Sequence, residues 1–324
     1  MEIFRKGLAN RFLPAGFTVV ELLVAASVFA IMLVFLVSLS DSVRKGWERG
    51  EHSVEVSQNG RAILNLLERD LSQAVVSKTM QFAQNPNIAS MLPSGESQVT
   101  NSTSLLFWVN SKDEQATSGL AQAGWYVAQN PSATTPSERF RLYRFHRALS
   151  PSEAKLSPGT NSDLTQSIFW LLPPAIDQTQ FSTNSSVVFS GALGFWAACL
   201  DRNGNTIPDL TTADPNADPL RFNSGARFQM SSRGTALSGT NTSLYTDAVS
   251  KTLEANALPD SIRIVLLLTD ERTLKRHATI DAIPEATLPA DTEAIARYSE
   301  ELAKKGIPNR VFTTTIKLMN RYDN

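Results

Sequence analysis

Residues 17–39 form an apolar run broken only by Thr18, Glu21, Ser27 and Ser38, with no basic residue along it. At about 1.5 Å per helical residue the run reaches roughly 35 Å, enough to cross the ~30 Å hydrocarbon core of a bilayer. Thr18, Ser27 and Ser38 are tolerable there, because their hydroxyls can bond back to the helix backbone. A basic leader precedes the run, with Arg5, Lys6 and Arg11 against Glu2 alone. The positive-inside rule keeps that leader in the cytoplasm and sends the rest of the chain across the membrane.

A secretory signal peptide places its small-residue cleavage site after the apolar core. Here the small-residue site, Pro14-Ala15-Gly16, comes before it. Cleavage after Gly16 would remove the leader and leave the membrane helix on the mature chain. Glu21 is the second anomaly, since a carboxylate deep in a bilayer costs about 2.5–3.5 kcal/mol and usually has a partner or a task. Freeing the amine of Phe17 would create a positive charge one helical turn upstream of Glu21, on the same chain or on a neighbour. A plain anchor with a snorkelling acid is the simpler reading. It explains neither the Gly-Phe-Thr sequence nor the reversed order of site and core.

Gly16-Phe17-Thr18-Val19-Val20-Glu21-Leu22-Leu23 resembles the prepilin signature of type IV pilins and type II secretion pseudopilins. The resemblance implies that a membrane prepilin peptidase cuts after Gly16 and N-methylates Phe17. It also implies that Glu21 neutralises the terminal amine of an adjacent subunit as the filament assembles. Many type IV pilins close their C-terminal region with a disulfide, whereas this chain has one cysteine, Cys199, which is closer to the pseudopilin pattern. In its apolar setting Cys199 is expected to be a small buried residue.

Net charge is −1 for the chain, and −3 once the leader is removed, which gives no footprint for nucleic acid. Beyond the membrane run, Val43, Trp47, Val54, Leu64, Leu67, Leu71 and Val75 recur at helical spacing, with no proline between residues 15 and 85. Gly46, Gly50 and Gly60 are candidate bending points. The organisation expected is a cytoplasmic leader at 1–16, a transmembrane helix at 17–39, its extramembrane continuation at 40–77, and a periplasmic α+β domain at 78–324.

Within that last domain, strand-like runs fall at 104–109, 124–128, 139–145, 186–189, 193–198, 261–269 and 310–318, rich in β-branched and aromatic residues. They read as one or two antiparallel sheets. Residues 201–257 read as a long loop. A helix is expected from Asp291, its cap, to a stop at Gly306, with Ile295, Tyr298 and Leu302 on one face. The fold class is therefore α+β, and the resemblance implies a pilin-like long N-terminal helix, membrane-spanning in its first half, packed on an antiparallel sheet domain. The runs at 258–268 and 311–320 resemble the J-type minor pseudopilins of type II secretion. The inserted helix and the 201–257 loop are similar to a verrucomicrobial prepilin-like family (cassette protein C).

Asp201, Asn203, Asn205 and Asp209 alternate as oxygen ligands do in a calcium loop. The glycine is at the fourth position rather than the sixth, and no bidentate Glu stands at the twelfth. An Asn-Gly turn is the simpler account, so calcium is a weak candidate and no other cofactor is expected. His52, His146 and His277 lack metal-ligand spacing, and no nucleophile elbow or phosphate loop occurs. Trp108, Trp125, Trp170, Trp196, Tyr126 and Tyr143 read as core rather than a ligand surface. Arg139, Arg141, Arg144 and Arg147 read as a solvated strand face, with subunit pairing as the alternative.

The expectation is a non-enzymatic minor pseudopilin-like subunit of a type II secretion-like system, held in a bacterial inner membrane. Its globular part would be periplasmic, and its partners would be prepilin peptidase and other pseudopilin or pilin subunits. The alternatives are a minor type IV pilin and, from another class, an enzyme or glycan-binding module on a prepilin anchor.

Overall fold

Thr18 begins the described part of the computed structural model, which covers residues 18–77, 82–84, 92–99, 106–111, 119–130, 132–150, 178–207, 222–223, 258–277, 280 and 292–322. The chain divides into two compact units, residues 1–54 and 55–324.

Helix α1 spans Val19–Ser72. In the first unit its large apolar side chains are exposed, Val19 at 77% and Phe35 at 69% among them. The stretch Val19–Trp47 is long and apolar enough to cross a membrane, and none of it is buried. The expected apolar stripe holds in its second part, where Leu67 and Leu71 are buried and Leu64 packs against the core, and fails in its first. Val43, Trp47 and Val54 are exposed, while Val56, Gly60, Ile63, Leu67 and Leu71 are buried, at spacings of four and three. Burial begins where the second unit supplies sheets to pack against, and each such aliphatic side chain contributes about 1.5–3 kcal/mol.

The expected helix to residue 77 stops at Ser72. Residues 74–77 become a strand, because Asn320–Tyr322 pairs with it on one side and Leu106–Ser111 on the other, with Val75 bridging both, and sheet pairing overrides the helical pattern. The globular part therefore starts with the helix end at Glu55 rather than at residue 78.

The strands are β1 Ala74–Ser77, β2 Ala83–Gln84, β3 Ser97–Gln98, β4 Leu106–Ser111, β5 Leu120–Gln129, β6 Phe140–Ala148, β7 Ser185–Ser190, β8 Ala192–Leu200, β9 Phe222–Asn223, β10 Ser261–Leu268, β11 Arg310–Lys317 and β12 Asn320–Tyr322. The further helices are α2 Gln178–Thr183, α3 Glu271–Arg276 and α4 Thr292–Lys304. All seven strand-like runs of the sequence are strands, in two sheets. The first sheet has the order β12-β1-β4-β5-β6-β7 with β2, β3 and β9 attached, and the second is β11-β10-β8. Every described pairing is antiparallel except β1 with β12. β9 lies inside the expected loop at 201–257; Phe222 is buried against β2, and most of that segment lies outside the described residues.

One core joins the helix to both sheets. Leu67 and Leu71 of α1, Trp125 and Val127 of β5, Phe195 and Cys199 of β8, and Ile262, Ile264 and Leu266 of β10 belong to it. The opposite face of the second sheet, with Trp196, Val265 and Leu267, packs on Ile295, Tyr298 and Leu302 of α4. Strands β8 and β10 are thus covered on both faces, which is why they read as continuous apolar runs rather than alternating ones.

Two glycines are dictated by this packing. Gly191 has φ +111°, and its N–H donates to Phe140 O at 2.7 Å while its carbonyl accepts from Thr269 N at 2.8 Å. It is the corner where the chain leaves the first sheet for the second. At Gly60 a Cβ would sit 2.6 Å from Phe312 Cε1, so this glycine lets β11 approach α1. Gly60 lies inside the unbroken α1, and close packing, not bending, accounts for it.

Candidate functional site

Glu21 occupies the third position of α1, and Thr18 is its N-cap. Glu21 Oε2 accepts from Thr18 N at 2.9 Å and from Thr18 Oγ1 at 3.0 Å, while Glu21 N donates to Thr18 Oγ1 at 3.3 Å. This is a capping box, in which each residue satisfies an orphan donor of the other. Thr-Val-Val-Glu spells that box in the sequence, a signal absent from the reading that treated Glu21 as an unpartnered acid. All the bonds fall on Oε2, and Oε1 accepts none among the described residues. Gly16 and Phe17, the residues expected to flank a cleavage site, lie outside the described residues.

The second unit contains a polar node that the sequence reading missed. Asp70, on α1 between Leu67 and Leu71, is 2% exposed. Its carboxylate accepts from Arg144 Nε at 2.6 Å, Arg144 Nη2 at 3.0 Å and Trp125 Nε1 at 3.1 Å. Two strand residues directly opposite each other, Trp125 and Arg144, are thereby tied to one helix residue. Strand parity held the signal: Arg144 shares a face with Phe140 and Leu142, and Asp70 falls three residues after Leu67 on the buried stripe.

The expected solvated arginine face is accordingly corrected. Arg144 is an internal tie, and Arg139 Nη1 reaches the carbonyls of Leu274 and His277 at 3.5 and 3.4 Å, at the end of α3. Arg141 pairs with Glu138 at 2.7 Å, and Arg147 donates to Gln122 Oε1 at 3.3 Å. These are intramolecular ties between packed elements, not a free basic surface.

On the outer face of the first sheet, Tyr126 stacks on Tyr143 at 4.9 Å and 7°, and Phe181 of α2 lies 5.0 Å from Tyr126 and 5.2 Å from Phe145. Tyr143 donates to Glu96 Oε1 at 2.5 Å. Burial pushes the Tyr143 phenol up to about 12, with the Glu96 carboxylate adding to the rise against the opposing pull of Arg141. Burial drives Tyr126 upward as well. Trp125, Tyr126, Tyr143 and Trp196 are buried, as core aromatics should be. Trp170 and the Trp108 side chain lie outside the described residues.

At the calcium candidate, Asp201 Oδ1 accepts from Asn203 N and Asn205 N, both at 2.8 Å, and Oδ2 accepts from Asn205 Nδ2 at 3.3 Å. Asp201 N bonds Asn205 O at 2.9 Å, closing a turn after β8. The carboxylate is committed to holding this Asx turn. Asp209 lies outside the described residues, and among them no group of three or more His, Cys, Asp or Glu is placed to hold a metal ion. Cys199 is buried and forms no disulfide.

These features define an α+β protein with an N-terminal helix long and apolar enough to span a membrane. Comparison with protein-family models, curated proteins and solved structures gives no match to this chain.

Proposed function

We propose that the chain is a non-enzymatic, minor pseudopilin-like subunit, cut after Gly16 by a prepilin peptidase and assembled through α1 into a filament serving protein export. The observation that carries this reading is the order of features at the amino terminus: basic leader, Pro-Ala-Gly, then Phe17 and an apolar helix with Glu21 in its first turn. The exposed apolar side chains of Val19–Trp47 call for lipid before assembly and for neighbouring helices after it. Oε1 of Glu21 accepts no bond among the described residues and is available to a cation while Oε2 caps the helix. In a low-dielectric bundle, an ammonium on that oxygen offsets the desolvation of both charges.

The helix cap and the charge can be separated. Glu21→Gln keeps a side chain able to complete the capping box but removes the charge, whereas Thr18→Val removes the cap and keeps the charge. Cross-linking of membrane-embedded subunits into multimers should be lost in Glu21→Gln and retained in Thr18→Val. Retention in Glu21→Gln would show that the carboxylate serves only its own helix, and the pairing model would fall.

A further inference from the structure

Strand β11 is the outer strand of the second sheet and pairs with β10 over eight residues in one unshifted register, from Ser261↔Lys317 to Leu268↔Arg310. It has no proline and no bulge, and among the described residues no other strand pairs with its far edge. Natural edges of this length are usually blunted by a bulge, a proline or a covering segment.

Phe312 and Ile316 pack toward α1 and the core, while Thr313, Thr315 and Lys317 are exposed on the other face. The register sets Thr315 opposite Arg263 and Lys317 opposite Ser261. Arg263 and Lys317 are therefore diagonal neighbours on one face, within reach of each other's field. Neither makes an ion pair among the described residues. An edge lysine alone guards against aggregation, but Arg263 stands on the inner strand, where a guard has no use. Two adjacent cations that no described carboxylate compensates, beside an edge that no described strand covers, ask for carboxylates from a partner.

We propose that β11 receives an extended acidic segment of a partner protein as an added strand. Main-chain bonds to the open edge would give affinity, and carboxylates facing Lys317 and Arg263 would set register. A second copy of β11 is disfavoured as occupant, because its Arg310 and Lys317 bring like charges to the same edge. This assignment does not depend on processing at Gly16 or on filament assembly.

The test uses the full chain in detergent micelles with two labelled ten-residue peptides, one alternating valine with glutamate and one alternating valine with lysine. The glutamate peptide should raise anisotropy and slow amide exchange across residues 310–317. The double variant Arg263→Glu, Lys317→Glu should weaken that binding by at least about tenfold and take up the lysine peptide instead. Lys317→Gln alone should give a smaller loss. Absence of binding, binding indifferent to charge reversal, or protection confined to other strands would overturn the proposal. Protection of β11 that grows with protein concentration without peptide would assign the edge to a second copy and overturn it equally.

Discussion

Replacing Asp70 with alanine should destabilise the globular unit more than any comparable change on α1. The carboxylate is 3% exposed in its pair with Arg144 and accepts three hydrogen bonds, two from the guanidinium and one from the Trp125 indole. Removing one partner of a buried ion pair leaves an uncompensated charge and typically costs about 3–5 kcal/mol. Here Arg144 is one-quarter exposed and can recover some hydration, whereas the buried indole N–H cannot and adds to the cost. The expected loss is about 4 kcal/mol, a large share of the roughly 5–15 kcal/mol that holds a typical domain folded. Equilibrium urea unfolding of the full chain in micelles, followed by tryptophan fluorescence and far-UV circular dichroism, measures it. The double variant Asp70→Leu, Arg144→Met removes both charges and should be more stable than the sum of the single losses predicts, by at least about 1 kcal/mol. A loss below about 1 kcal/mol for Asp70→Ala, or strict additivity in the double variant, would refute the view that this node ties helix to sheet.

Gly60→Ala should cost about 1–3 kcal/mol despite alanine's higher helix propensity, because the new methyl meets the Phe312 ring. Adding Phe312→Leu should restore part of the loss, and a stabilised Gly60→Ala would contradict the close approach. Tyr126 and Tyr143 have phenols raised above the ordinary value near 10, so the stability they support is complete below that pH and is lost as the pH climbs through the folded value, about 12 for Tyr143. Absorbance at 295 nm should show Tyr143 ionising well above pH 10, with unfolding following in the same range. Tyr143→Phe should remove one phenol from the late ionisation and leave that of Tyr126, and ionisation of every phenol near pH 10 in the folded chain would count against the burial argument.

Much of this architecture is legible in the residues, and the failures have physical causes. The seven strand-like runs were visible because β-branched and aromatic residues cluster between turn formers, and Ile295, Tyr298 and Leu302 mark α4 by their spacing. The end of α1 was not, since Leu67, Leu71 and Val75 keep helical spacing while Val75 pairs with both Asn320 and Val109 in a sheet. Only long-range pairing decides that competition. The two-residue strands β2, β3 and β9 are too short to carry any period. Asp70 was hidden among the charged residues of α1, because a sequence does not say which acid meets an arginine 74 positions away. At the candidate site Gly16 and Phe17 lie outside the described residues, while the capping box was legible in Thr18-Val-Val-Glu21, had Thr18 been read together with Glu21.

The central claim concerns one peptide bond, so the decisive measurement is mass spectrometry of the native amino terminus after purification from membranes. The account predicts a chain whose first residue is Phe17, bearing an N-methyl group, with no peptide spanning the Gly16–Phe17 bond. Recovery of chains that still begin at Met1, or that begin beyond residue 39, would contradict it.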